Sequence, residues 1–99
     1  MFQIVWEFEI EPGRADEFKR AYGSEGVWAT LFREGEGFLG TELFRSLGRR
    51  ECYITIDRWS SRAAFENFKR ARAREYADID ARCESLTKAE RLVAAQEDP

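Results

Sequence analysis

The sequence contains no histidine. That removes the side chain that titrates nearest neutrality, the commonest transition-metal ligand and the usual proximal ligand of haem. Cysteine is scarce as well. Cys52 and Cys83 show neither metal-ligand spacing nor a disulfide framework. Reduced thiols in a cytoplasmic protein, each a small buried hydrophobe, are expected. No run of about 18 apolar residues occurs, and the opening "MFQIVWEFEI" lacks the basic region and apolar stretch of a signal peptide. Neither secretion nor a membrane span is therefore expected. An excess of positive charge is missing too. Sixteen Lys and Arg stand against 19 Asp and Glu, a net charge of −3, which argues against a nucleic-acid binder that relies on bulk electrostatics. The contexts GxxxxGK[ST] and GxGxxG are absent, so "GEG" and "GFLG" are not phosphate loops.

Aromatic residues are plentiful: eight Phe, three Trp and three Tyr, 14% of 99 residues. That length gives one domain, residues 1–99, with room for one core. So much ring surface in a small domain points to a large interface, a ligand cavity, or both.

Phe2, Ile4, Trp6, Phe8 and Ile10 alternate with more polar residues, the period of a half-buried strand over 2–10, and "EPG" stops it. In "RADEFKRAY", Ala15, Phe18, Ala21 and Tyr22 gather on one side of a helix. Gly23 and Gly26 end it. "VWATLFRE" repeats the helical spacing with Val27, Trp28, Leu31 and Phe32. A second strand is expected over 37–46, with Gly40 as a bulge or a point of close approach, then a turn at "LGRR" and a third strand over 51–59. Tyr53, Thr55, Asp57 and Trp59 share one face of that strand. Ser60 or Ser61 caps the following helix. From 61 to 86, Phe65, Phe68, Tyr76, Ile79, Cys83 and Leu86 keep one helical phase. An unbroken helix of that span would be roughly 39 Å long, so a kink near 72–75 is expected. Residues 89–96 read as a fourth strand and the end of the chain, from 96 or 97, as a frayed tail.

The order β-α-(α)-β-β-α-β is the ferredoxin-like split βαβ arrangement, an α+β fold with an antiparallel sheet and helices on one face. Its other face is bare. Strict alternation places Val5, Leu39, Leu43, Ile54 and Ile56 there. A homodimer packed sheet on sheet is the simplest cover.

The strand closed by "EPG", the "EF" of the first helix, "WATLFR", "GFLGTEL" and above all "ITIDRWSSRAAFENF" resemble the antibiotic-biosynthesis monooxygenase (ABM) domain of the dimeric α+β barrel superfamily, over about residues 2–95. The resemblance implies a homodimer with one pocket per subunit, between sheet and helices. Some members oxygenate polycyclic phenols or quinols with molecular oxygen and neither metal nor flavin, so no cofactor is implied. Others degrade haem with an Asn on the first strand, a Trp at the end of the third and a His on the following helix. Trp59 matches the tryptophan, Trp6 stands nearest the asparagine position and no histidine exists. Haem degradation by that route is not expected.

Several side chains are candidates for a site. Trp59 either fills the strand-to-helix corner or walls a pocket and stacks on a flat ligand. Trp6, Phe8, Tyr53 and Thr55 should face the same space, with Trp28 and Phe32 closing it from the short helix and Phe65, Phe68 and Tyr76 lying along the long one. An aromatic stripe of this kind serves equally as plain core. The Tyr53 phenol would hydrogen-bond a substrate oxygen or reach water. Asp57 either pairs with a nearby arginine, or marks a solvated strand end, or sits beside aromatic walls with a raised pKa, ready to take a phenolic proton. Arg72 falls in the apolar stripe if the helix is continuous, where it would need Asp57 or a substrate oxyanion as partner. A break in the helix would turn it to water. "KRARAR" (69–74) scatters around the axis and reads as solvated surface. Two functions follow. One is a cofactor-independent oxygenase of a small phenol or quinol, using Asp57, Arg72 or Tyr53. The other is a non-catalytic dimeric module that binds a small hydrophobic ligand or a protein.

Overall fold

Strand alternation sets the architecture. Phe2, Ile4, Phe8 and Ile10 are all buried along strand β1 (Phe2–Ile10) in the computed structural model, which describes residues 1–98. Helices α1 (Ala15–Tyr22) and α2 (Val27–Phe32) follow, then β2 (Phe38–Arg45) and β3 (Cys52–Trp59). Next come helices α3 (Arg62–Ala71) and α4 (Ala73–Cys83), a single 3-10 turn at Glu84–Leu86, and β4 (Thr87–Glu97). The strands form one antiparallel sheet in the order β2-β3-β1-β4. This is the α+β, ferredoxin-like plan. Inward-facing strand residues and the apolar sides of the helices make one core, including Phe8, Phe18, Tyr22, Trp28, Tyr53, Trp59 and Phe68.

Two local features place the site. The first is a bulge at the start of β2. Phe38 pairs with Trp59 and Gly40 with Arg58, so Leu39 is an extra residue. Gly40 accepts this at φ 140°, a backbone region that suits glycine. The bulge reverses the alternation expected after it. Leu43 sits opposite Thr55 and packs on the core, so it does not belong to the bare face. Phe44, opposite Ile54, takes that face instead and is 47% exposed. Thr41 turns inward opposite Asp57.

The second feature is a break in the long helix at Arg72, whose φ and ψ are −119° and 28°. A straight helix over 61–86 would be about 39 Å long, while the molecule's longest dimension is 36 Å. Ser61 caps α3, its Oγ accepting from the Ala64 N–H at 3.0 Å. β4 is longer than 89–96. Gln96 and Glu97 pair with Gln3 and Phe2, and the Asp98 N–H donates to the Met1 carbonyl at 2.8 Å. These residues are therefore paired with β1 and not an unpaired tail; Pro99 lies outside the described residues. Among the described residues no helix is long and apolar enough to cross a membrane.

Candidate functional site

Asp57 points inward from the middle of β3 because it shares the face of Thr55 and Trp59. It is 9% exposed. The Thr41 hydroxyl donates to Asp57 Oδ1 at 2.7 Å, a contact made by the reversal at the β2 bulge. Oδ2 receives no hydrogen bond from the described residues. Burial pushes the Asp57 carboxyl up to about 6, with the Thr41 hydrogen bond opposing. Among the described residues no arginine pairs with it; the neighbouring Arg58 faces the other side of the sheet and bonds Glu42 and Gln3.

Asp57, Thr41 and Thr55 lie on the wall of a cavity of about 240 Å³ between sheet and helices. Trp6 and Phe8 line it from β1, Tyr22 from the end of α1, Trp28 and Phe32 from α2, and Tyr76 from α4. Trp28 meets Tyr76 edge on, with centroids 4.9 Å apart. Burial, then the charges of Asp80, Asp57 and Glu90, lifts the Tyr76 phenol to about 12. Burial likewise raises Tyr22 well above its ordinary value. Both phenols therefore keep their protons through the neutral range. Lys69, Asp80 and Glu90 complete the lining. The Lys69 ammonium lies 4.8 Å from the Tyr76 ring and 5.6 Å from the Phe65 ring. No carboxylate pairs with it among the described residues.

Seven of the residues expected to face the site come together here: Asp57, Thr55, Trp6, Phe8, Trp28, Phe32 and Tyr76. Five others do not line the cavity. Trp59 is wholly enclosed at 0% exposure, packed on Phe68 at 5.0 Å, Phe38 at 5.2 Å and Phe65 at 5.7 Å. Gly35 covers it, since a Cβ there would lie 2.9 Å from two indole carbons. Its Nε1 has no acceptor among the described residues. The indole fills the corner as core, and Phe65 and Phe68 belong to that cluster. Tyr53 is buried against Phe18 at 5.3 Å, one inward position before Thr55 on β3. Arg72 turns away at the helix break, to Glu34 at 2.7 Å and Glu75 at 3.2 Å.

Thr41, Tyr22, Lys69, Asp80 and Glu90 were not anticipated. Helical spacing carried a signal for two of them. Lys69 stands four residues after Phe65 and Asp80 four after Tyr76, hence on the same faces. A search for apolar stripes passes over both.

Among the described residues no three His, Cys, Asp or Glu side chains converge as a metal site. Haem does not fit by the three-residue set of the haem-degrading members. Trp6 stands on the first strand, Trp59 is enclosed in the core and the chain has no histidine. Cys52 and Cys83 are free and buried and do not line the cavity.

A sequence model of the antibiotic biosynthesis monooxygenase family matches residues 1–78. No curated protein matches the chain. Several solved structures share the fold. A candidate antibiotic biosynthesis monooxygenase from Deinococcus radiodurans superposes with a TM-score of 0.76 at 14% identity, covering 100% of this chain and 93% of that one. A point variant of MhuD, solved with two manganese protoporphyrin IX per active site, gives 0.74 at 21%, covering 99% and 94%. A point variant of SnoaB, a cofactor-independent oxygenase from Streptomyces nogalater, gives 0.68 at 19%, covering 98% and 94%. At these identities the likeness is one of fold.

Proposed function

The chain belongs to the antibiotic biosynthesis monooxygenase family, and from that premise we propose that it is a cofactor-independent monooxygenase of a small phenol or quinol. The observation that carries this reading is Asp57: a buried carboxylate with one oxygen unbonded, on the wall of an aromatic cavity. A group whose pKa lies near 6 is largely ionised at neutral pH and still basic enough to take a phenolic proton.

The substrate ring lies among Trp6, Trp28, Phe32 and Tyr76, with its hydroxyl at Asp57. Oδ2 takes the hydroxyl proton and the electron pair delocalises onto a ring carbon. That carbon gives the pair to molecular oxygen and gains a C–O bond. The resulting peroxide takes the proton back from Asp57. Loss of the remaining hydrogen on that carbon breaks the O–O bond, leaving a carbonyl and one water. The Thr41 hydroxyl, bonded to Oδ1, holds the carboxylate in place.

The assembly is a homodimer through the outer sheet face, where Val5, Ile54, Ile56 and Phe44 stand together. Free buried thiols suit a reducing compartment such as the cytoplasm.

The test is oxygen uptake by the metal-free protein with anthrones, naphthols and quinols, background autoxidation subtracted. Uptake should rise through about pH 6 as Asp57 ionises, and Asp57→Asn should lower it about 100-fold. Saturable binding of these compounds without uptake above background would favour a ligand-binding module and overturn the enzyme.

A further inference from the structure

Two polar groups on the cavity wall are buried and still unsatisfied. Asp57 is one: its Oδ2 receives no hydrogen bond from the described residues. Thr55 is the other. It lies two residues before Asp57 on β3, on the same inward face, and is 3% exposed. The flanking strands give its hydroxyl nothing to bond, since Trp6 stands opposite it on β1 and Leu43 on β2. Among the described residues its side chain forms no hydrogen bond, yet its oxygen is not sealed in the packing as the Trp28 and Trp59 Nε1 atoms are. The hydroxyl therefore opens into the cavity that Thr55 lines. Thr41, the neighbouring hydroxyl, is already committed to Asp57 Oδ1. A hydroxyl withdrawn from water without a partner costs free energy, and a valine would fill the same space without that cost. Such a group is explained when a ligand completes it.

We propose that the cavity takes a catechol-like substrate: a one- or two-ring arene with oxygens on two neighbouring ring carbons, one bonded to Asp57 Oδ2 and the other to the Thr55 hydroxyl. This rests on reading Asp57 as the phenol site. Both groups stand on one wall, the sheet, so both oxygens leave the same edge of the ring. Oxygens para to each other point in opposite directions, and a hydroquinone with one hydroxyl at Asp57 turns the other toward the helices. Residues two apart on a strand are separated by about 6.6 Å. Two hydrogen bonds of about 2.7 Å that lean toward each other close most of that gap, which suits neighbouring carbons. The first hydroxyl donates to Oδ2, and the second oxygen accepts from Thr55. Among small phenols and quinols this selects the ortho pattern. The volume limits the rings. About 240 Å³ is below the roughly 300–1,000 Å³ of pockets for drug-sized ligands, which leaves room for naphthalene-like frames and not for four fused rings.

The experiment is calorimetric titration of the wild-type protein under nitrogen, near neutral pH in a borate-free buffer, with 2,3-dihydroxynaphthalene and 2,6-dihydroxynaphthalene. The two diols share a frame and a hydroxyl count, and only the first carries both oxygens on one edge. The 2,3-diol should bind about 5–10-fold more tightly, the worth of one hydrogen bond. Thr55→Val should bring it to the affinity of the 2,6-diol and leave the latter unchanged, which also shows that the cavity survives the replacement. Thr55→Ser, which keeps the hydroxyl, should keep the preference. Equal affinities in the wild type, or a preference that survives Thr55→Val, would overturn the proposal while leaving the phenol site standing. If neither diol binds, the phenol site fails and this proposal with it.

Discussion

A carboxylate withdrawn from water holds its proton to higher pH, and Asp57 shows what that costs the fold. Its pKa rises from 3.8 to about 6 in the folded chain. The folded state therefore binds this proton more tightly than the unfolded state does. The stability it contributes is fully present below about pH 4 and is lost as pH rises through about 6. The shift corresponds to about 3 kcal/mol at most. Asp57→Asn keeps the shape and an acceptor for Thr41 without the charge. Urea unfolding should show the variant matching the wild type near pH 4 and exceeding it by about 2–3 kcal/mol at pH 8. A difference that stays flat across that range would mean that Asp57 is not raised. The same replacement that abolishes the base is thus expected to stabilise the protein. Site chemistry and fold stability oppose each other at this residue, as they often do at buried functional groups.

The connections between elements are as demanding as the elements. The 35–37 segment presses on the corner where β3 meets α3. Gly37 has φ 95°, and a Cβ on it would lie 2.5 Å from Ser60 Oγ and 2.9 Å from the Ala64 Cβ. Its carbonyl accepts from the Ser60 N–H at 2.7 Å. Gly37→Ala should cost about 1–3 kcal/mol, lowering Tm by roughly 4–8 °C for each kcal/mol in a chain of this size. Gly48→Ala, in an open turn with nothing within 4 Å, should leave Tm unchanged. An equal loss in both would mean that the corner contacts are not responsible.

Elements of this kind were legible in the sequence where one periodicity ran unbroken. Alternation set the inward face of β1 and β3, and with it Asp57. The Ser-Ser pair marked the start of α3. The inward turn of Thr41 was hidden because Leu39, Thr41 and Leu43 satisfy strict alternation, and only the bulge moves Leu39 to the opposite face from the other two. Arg72 kept the phase of the apolar stripe up to the residue at which the helix stops being one helix. Lys69, Asp80 and Glu90 escaped because a hydrophobic pattern cannot report a charged rim.

At the scale of the molecule, one face of the sheet carries the helices, and the other carries Val5, Ile54, Ile56 and Phe44 with none of the described helices over them. Light scattering at micromolar concentration should give twice the 11.6 kDa of one chain. Ile56→Lys, at the centre of that face, should return a monomer, because a lysine there cannot be desolvated without a partner. A wild-type monomer would overturn the sheet-to-sheet dimer. The order of the strands also bears on how the chain comes to be folded as it is made. β1 lies between β3 and β4. Its pairing with β3 becomes available once residue 59 has emerged from the ribosome, but its other edge waits for residues 87–97. Until then a strand bearing Phe2, Ile4, Trp6 and Phe8 offers unpaired backbone to any neighbouring nascent chain. Glu7 and Glu9, interleaved with those residues, point to the outward face, where Arg49 lies 3.9 and 3.6 Å from their carboxylates, so a cation made before β4 already sits against the acidic side of the waiting strand.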